Sequence, residues 1–300
     1  MTVQQTTHSM IPLVTIATHD YGYLSVLKQG AYRNGYELHV LGFGQKWEGF
    51  GMKFRLLGQW LKNVEPSQIF VLLDGFDTLC LEPSECLLPR FLSYNCDILL
   101  SRDVNITNPI ERYIMERMFP RCNGVGICAG MYMGRAGAVA KMVELLCGVN
   151  DEHCISNTAD DQRMMIDMCQ QGHLFYQKHV KIDVDCRVFL NIPPDGFFTR
   201  SVTTKNNHNM QIYNSRVCPL GSTEPVVFVQ GLANADLTSI VDLYGFNDTS
   251  IQRPYWDYVS HLMKSHYKLI PQVFFVEIML LSVIIVSCVG LLLLCRGSST

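Results

Sequence analysis

Residues 69–83 read IFVLLDGFDTLCLEP. Five apolar residues in a row are what a strand covered on both faces requires, and the run stops at Asp74-Gly-Phe-Asp77. Two carboxylates three apart at a strand's end have two readings. Asp and Gly both favour turns, so the pair can simply terminate the strand. Alternatively, Asp74 and Asp77 hold a divalent cation whose remaining ligands are phosphate oxygens, because Mg²⁺ and Mn²⁺ typically take one or two protein carboxylates plus substrate phosphates. Taken alone the spacing favours the turn, since DxxD is a weak motif.

Outward from this stretch, apolar β-rich runs alternate with helical patterns. LVTIAT (13–18) reads as a buried strand, YLSVLKQGAYRNG as a helix closed by Gly35, ELHVLGF (37–43) as a strand and MKFRLLGQWLKNV as a helix. Further strands are expected at DILLS (97–101), CAGMYMG (128–134) and PVVFVQG (225–231), while residues 190–224, rich in Pro, Asn, Ser and Thr, suit loops with short strands. The alternation predicts an α/β domain with a mainly parallel, mixed sheet flanked by helices. Ligands of such sheets collect beyond the carboxyl ends of the strands. That directs attention to Thr18, His19 and Asp20 after the first run, Asp74 and Asp77 after the third, and Gln230 and Gly231 after the last.

A second acidic pair lies in NTADDQRMMIDMCQQG. Thr158 and Asp161 have capping-box spacing before a helix that Gly172 closes, which accounts for Asp161 without any function. Asp160 is less needed as a cap, although carboxylates at a helix start complement its dipole. Other catalytic patterns are missing: no P-loop follows the glycines of GFGQKWEGFG (42–51), and no GxSxG elbow exists. A net charge of −3 with both signs mixed along the chain, and no basic cluster with interleaved aromatics, excludes a nucleic-acid partner.

Residues 273–295, VFFVEIMLLSVIIVSCVGLLLLC, carry one charge, Glu277, in 23 residues, enough to cross a bilayer core. The expected organisation is a globular domain over 1–250, an aromatic and basic juxtamembrane helix at 251–270, a single-pass anchor at 271–295 and a short tail at 296–300. No secretory signal precedes the domain, and the balance of Lys264, Lys268 and Arg296 favours a tail-anchored protein with its domain in the cytosol. The lumenal alternative would make the sequons at Asn105 and Asn247 relevant. Twelve cysteines without CxxC pairs or zinc spacing, mostly inside apolar runs, are expected to be buried thiols.

The order of segments is more specific than any one of them. LVTIATHD, VLGFGQKWEGFGMKFRLL, IFVLLDGFDTLCLEPSECLLPRF, DILLSRD, CAGMYMG, ADDQ, VDCRVFLN and PVVFVQG follow one another over roughly residues 11–240. The chain thereby resembles the glycosyltransferase domain of the procollagen-lysine hydroxylase/glycosyltransferases and related collagen glucosyl- and galactosyltransferases. The resemblance implies a GT-A fold that uses a UDP-sugar and Mn²⁺ or Mg²⁺. It implies Asp74 and Asp77 at the metal and diphosphate, Asp160 and Asp161 near the donor sugar as catalytic residues, and Ile16 to Thr18 against the uridine. Lys53 falls at the lysine after VLGxGxxWxG, and Gly231 is kept beside the donor. Four departures accompany it. Gln230 replaces a metal-binding His and is expected to serve as a weaker metal ligand through its carbonyl oxygen. Asp236 stands where the family has a Lys, Cys128-Ala129-Gly130 replaces Asn-Ser-Gly, and a Trp after LLSRD is missing. Two functions are therefore expected. One is a membrane-anchored, metal-dependent transferase that moves glucose or galactose from a UDP-sugar to a protein, glycan or lipid acceptor. The other is a catalytically impaired GT-A domain that binds nucleotide or acts as a scaffold.

Overall fold

The computed structural model describes residues 10–104, 109–147, 160–195, 202–204, 207–232, 235–247 and 279. The expected anchor, the juxtamembrane helix and the tail lie outside the described residues apart from residue 279; among those described, no helix is long and apolar enough to cross a membrane. The first half of the chain alternates as expected: β1 (Pro12–Ile16), α1 (Leu24–Arg33), β2 (Glu37–Leu41), α2 (Gly51–Leu61), β3 (Ile69–Asp74), the short β4 (Thr78–Cys80), α3 (Ser84–Ser93) and β5 (Ile98–Arg102). Next come α4 (Pro109–Met118), the long β6 (Ile127–Arg135), α5 (Ala136–Cys147), α6 (Asp161–Gln170), α7 (Leu174–His179) and β7 (Val180–Asp183). The chain then forms β8 (Phe189–Ile192), the hairpin of β9 (Met210–Tyr213) and β10 (Arg216–Pro219), β11 (Phe228–Gly231) and α8 (Thr238–Leu243).

Six strands make the main sheet in the order β2-β1-β3-β6-β5-β7. Pairing is parallel for β1 with β2 and β3 and for β5 with β7, whereas β6 runs antiparallel to both β3 and β5. The sheet is thus mixed, as the sequence leads one to expect. β3 shows why its sequence is continuously apolar. Phe70 and Leu72 enter the core under α2, α5 and α6, while Val71 and Leu73 enter the opposite core under α1 and α3. Both faces are covered, so alternation has nothing to mark. A second sheet, β4-β11-β8, packs with α8 and the hairpin in a third core that includes Leu79, Leu190, Val229 and Ile240.

The β5–β6 ladder slips: Leu100 pairs with Tyr132, but Ser101 pairs with Cys128. Such bulges re-aim side chains and bend a strand. This one leaves Ala129, Gly130 and Met131 outside the β5 register, although Met131 still pairs with Leu73 of β3, and Gly130 there lies against the Gln230 side chain of β11.

The expectation of thiols throughout is corrected in part. Cys122, in the turn before β6, is bonded to Cys169 of α6 across a Cα separation of 5.9 Å, and Cys147 is also disulfide-bonded. Cys80, Cys86, Cys96, Cys128, Cys186 and Cys218 are free. A half-cystine and a buried thiol occupy the same apolar surroundings, so the sequence environment does not distinguish them; only the facing of two elements does.

Candidate active site

β1, β3 and β11 deliver the site from their carboxyl ends. Ile16 is the register partner of Asp74 across the parallel β1–β3 pair, so the last residues of both strands face the same edge. Glycine closes the loop after β1. Gly22 has φ +52°, and a Cβ there would lie 2.0 Å from the Phe76 carbonyl oxygen, the oxygen that accepts the Tyr23 N–H at 2.8 Å. This contact ties the β1 loop to the Asp74–Asp77 turn. Gly231 anchors the turn from the other side, donating its N–H to the Asp77 carbonyl at 2.8 Å.

Lys53 enters from α2. Its side chain is only 9 % exposed, and Nζ lies 2.7 Å from Asp74 Oδ1 and 2.6 Å from Asp161 Oδ2. Burial works against its ammonium, but the Asp161 and Asp74 charges outweigh burial and hold its pKa well above the usual lysine range. Gln230, from β11, points its amide nitrogen between the two turn carboxylates. Nε2 is 3.3 Å from Asp74 Oδ2 and 3.2 Å from each oxygen of Asp77. Five sequence-predicted residues, Lys53, Asp74, Asp77, Asp161 and Gln230, are thus brought into one cluster, with Ile16 and Gly231 at its edge.

Asp160 stands apart from the contacts that join these five. It caps α6, its Oδ1 accepting the Arg163 N–H at 2.9 Å. The helix start expected from the Thr158–Asp161 capping box is therefore corrected: Asp160 is the cap, and Asp161, the first helical residue, accepts the Gln162 N–H at 3.0 Å through Oδ1 while its Oδ2 faces Lys53. Thr18 lies at the end of β1, where its Oγ1 is 2.9 Å from His19 Nδ1 and its carbonyl accepts the Gly44 N–H at 2.8 Å. Asp236, aligned with the family's lysine, does not join the cluster. Its Oδ1 accepts from the Tyr23 hydroxyl, the Thr238 N–H and the Thr238 hydroxyl at 3.2, 3.0 and 2.6 Å, so its charge is spent at the start of α8.

Three features escaped the sequence reading. Phe76, between the two turn carboxylates, meets His19 and Tyr21 with ring centroids 5.4 Å from each, and His19 and Tyr21 are 5.5 Å apart. This makes an aromatic wall beside the cluster. Beneath the turn, the buried hydroxyls of Thr15 and Thr78 have no hydrogen-bond partner among the described residues. Finally, Cys128 and Gly130 on the β6 bulge form the floor under Gln230: Cys128 Sγ lies 3.6 Å from Gln230 Oε1, and a Cβ on Gly130 would sit 2.3 Å from both ends of that amide. The Cys-Ala-Gly departure from the family signature was the only signal for the last of these.

Three carboxylates against one ammonium leave the cluster negative. Burial, with the neighbouring Asp74 charge, pushes the Asp77 carboxyl up to about 8 despite the Gln230 amide and Lys53, which favour its anion. Asp74 is also raised, by burial first, with Lys53 opposing and Asp161 adding; its side chain keeps 35 % of its surface open, so solvent moderates that push. A folded-state carboxyl raised above the unfolded value near 4 contributes stability that is fully present below about pH 4 and lost as pH rises through about 8. The Tm of the cation-free protein should therefore fall between about pH 5 and pH 8, and Asp77→Asn should flatten the fall. An unchanged slope in that variant would assign the dependence to other groups.

The cluster's composition suits a hard divalent cation. Asp74, Asp77 and an amide oxygen from Gln230 are an all-oxygen donor set of the type Mg²⁺ and Mn²⁺ accept together with phosphate oxygens. The Gln230 nitrogen marks a point within reach of both carboxylates, in a cradle a Cβ on Gly130 would fill. Among the described residues no group of three or more His, Cys, Asp or Glu side chains could hold a metal, so Gln230 is what would complete the set on the protein side.

No curated protein matches the chain by sequence. Among solved structures, the galactosyltransferase LgtC in complex with donor and acceptor sugar analogues is 14 % identical with a TM-score of 0.44, over 83 % of this chain and 100 % of that one. A glycosyltransferase involved in glycosylation of the major capsid of PBCV-1 is 11 % identical with a TM-score of 0.39, over 58 % of this chain and 82 % of that one. Residues 7–239 match the PLOD GT domain, and the chain belongs to that glycosyltransferase family.

Proposed function

We propose that the chain transfers a hexose, glucose or galactose, from a UDP-sugar to a protein, glycan or lipid acceptor, with Mn²⁺ or Mg²⁺ between the protein and the diphosphate. The observation that carries this reading is the convergence of Asp74 and Asp77 on one point, marked by Gln230 Nε2. Asp74, Asp77 and Gln230 would hold the cation, whose positive charge neutralises the departing diphosphate. The chain's own groups do the rest. His19, Tyr21 and Phe76 offer flat faces to a base, and Ile16 and Thr18 line the strand end where the nucleoside would pack. Lys53 fixes the directions of Asp74 and Asp161, and Asp161, with Asp160 beside it, orients sugar hydroxyls or assists the acceptor. UDP release from UDP-glucose and UDP-galactose by the full-length chain with Mn²⁺ tests the proposal.

A second reading, a nucleotide-binding GT-A domain with impaired turnover, is favoured by one feature: the group facing the two carboxylates is an amide nitrogen, which a cation must displace. Nucleotide binding without turnover would select it. A melting temperature indifferent to UDP plus Mn²⁺ would retire both readings.

We further infer that the apolar run at 273–295 anchors the protein in a membrane and that the domain faces an oxidising lumen rather than the cytosol. The Cys122–Cys169 bond supports the lumenal side, because disulfides persist in oxidising compartments and are rare in the cytosol. Glycan occupancy at Asn105 or Asn247, seen as a mobility shift on deglycosylation, is the expected result; fully reduced, unglycosylated protein from cells would return the domain to the cytosol.

A further inference from the structure

The amide of Gln230 is held at both ends. Nε2 donates toward Asp74 Oδ2 and both oxygens of Asp77 at 3.2–3.3 Å, while Oε1 lies 3.6 Å from Cys128 Sγ, within reach of the thiol hydrogen. Gly130 supplies the space, and the β6 bulge brings it there. The residue is 3 % exposed, so water does not compete for either end. The two ends of an amide are alike in size and opposite in polarity. Facing the Asp74 carboxylate, and Asp77 when it is ionised, nitrogen is attracted and oxygen repelled; facing a divalent cation, the preference reverses.

The geometry points to Gln230 as a self-capping ligand: its nitrogen closes the Asp74–Asp77 pair when no cation is bound, and a cation is accepted only with the amide turned so that Oε1 faces it. This rests on the cation reading of the site proposed above. The turn needs no new volume, because a half-rotation of the terminal amide exchanges nitrogen and oxygen in one cradle. Cys128 favours the capped form, in which its thiol hydrogen is directed to Oε1; in the turned form its sulfur would be only a weak acceptor for Nε2. Two consequences follow from the chemistry. Cation affinity is reduced by the fraction of molecules in which the amide is turned. The complete donor set is oxygen only, so the site discriminates against cations that prefer nitrogen ligands, as an imidazole at position 230 would not.

Mn²⁺ binding to the nucleotide-free, full-length chain can be read from the loss of the free-ion electron paramagnetic resonance signal. Cys128→Ala, which releases Oε1, should bind Mn²⁺ about threefold more tightly than the wild type, the scale of one weak hydrogen bond. Cys128→Ser, a stronger donor to Oε1, should hold the cap and bind more weakly. Gln230→His, with no amide to turn, should bind at least about tenfold more tightly and take Co²⁺ with a visible absorption band that the wild type lacks. Opposite signs for the Ala and Ser variants are the result a merely structural Cys128 would not give. Equal Mn²⁺ affinity in the wild type and both Cys128 variants, with Gln230→His still binding, overturns the capping idea and leaves the cation site standing. Failure of Gln230→His to bind either ion removes the cation reading itself, and the capping idea with it.

Discussion

Lys53→Met should lower the stability of the domain by about 3–5 kcal/mol, the cost of breaking a buried ion pair from one side. Lys53 Nζ bridges Asp74 and Asp161 at 2.7 and 2.6 Å, and the Lys53 and Asp161 side chains are only 9 and 11 % exposed. Methionine keeps the bulk of the stem and removes the charge, so Asp161 is left buried and negative with its ion pair gone. For a domain of about 240 residues each kcal/mol shifts Tm by roughly 2–4 °C, so a fall on the order of 10 °C is expected in thermal denaturation. The sign for pH agrees. A lysine held above its ordinary value contributes stability that is complete below about pH 10 and lost as pH rises through its folded value, so the loss in Lys53→Met should be undiminished at neutral pH. Lys53→Met combined with Asp161→Leu should recover much of the stability, because it removes the more deeply buried of the two charges left without their ammonium, the Asp74 side chain keeping 35 % of its surface open. A single variant that melts with the wild type would mean that water reaches this cluster and that Lys53 is not its organising charge.

How far the site could be read from residues alone follows from what each part depends on. The carboxylate pair was legible because β3 is covered on both faces: an apolar run that stops at Asp-Gly-Phe-Asp shows both the strand and its end. α1 and α2 were legible for the complementary reason, one buried stripe each. The direction of β6 was not, because a buried strand reads the same parallel or antiparallel, and only its ladders with β3 and β5 establish the sense. Likewise β4, β8 and β11 form a separate sheet through residues far apart in the chain. The helix start at Asp160 shows the limit of local spacing. T-x-x-D matched a capping box opening at Thr158, yet the residue that caps is Asp160, and Asp161 is tied to Lys53, which no local pattern connects to it. Gln230 was singled out by family resemblance as a weaker metal ligand. Its hydrogen bonds give it a second property, attraction of its nitrogen to the carboxylates, that residue type alone does not reveal.

Asp77→Ala should separate stability from function. In the cation-free protein the Asp77 carboxyl is raised to about 8 by burial and by the charge of Asp74, so its anion is disfavoured by the fold at neutral pH. Removing it relieves that repulsion, and Tm above about pH 7 should hold or rise, although the Gln230 amide loses one of its two carboxylates. Turnover should move the other way. A group that holds the charge opposite a departing diphosphate is worth about 10²–10³ in rate by the precedent of single electrostatic stabilisers, and with it should go the Tm increase caused by UDP plus Mn²⁺. The measurements are UDP release and melting of the full-length chain, with and without Mn²⁺, across pH 5–9. A residue kept for packing would lose stability and leave the per-molecule rate intact; a residue kept for chemistry gains or keeps stability and loses the rate. Stability that drops while turnover survives would place Asp77 in the turn-ending role that its spacing alone first suggested.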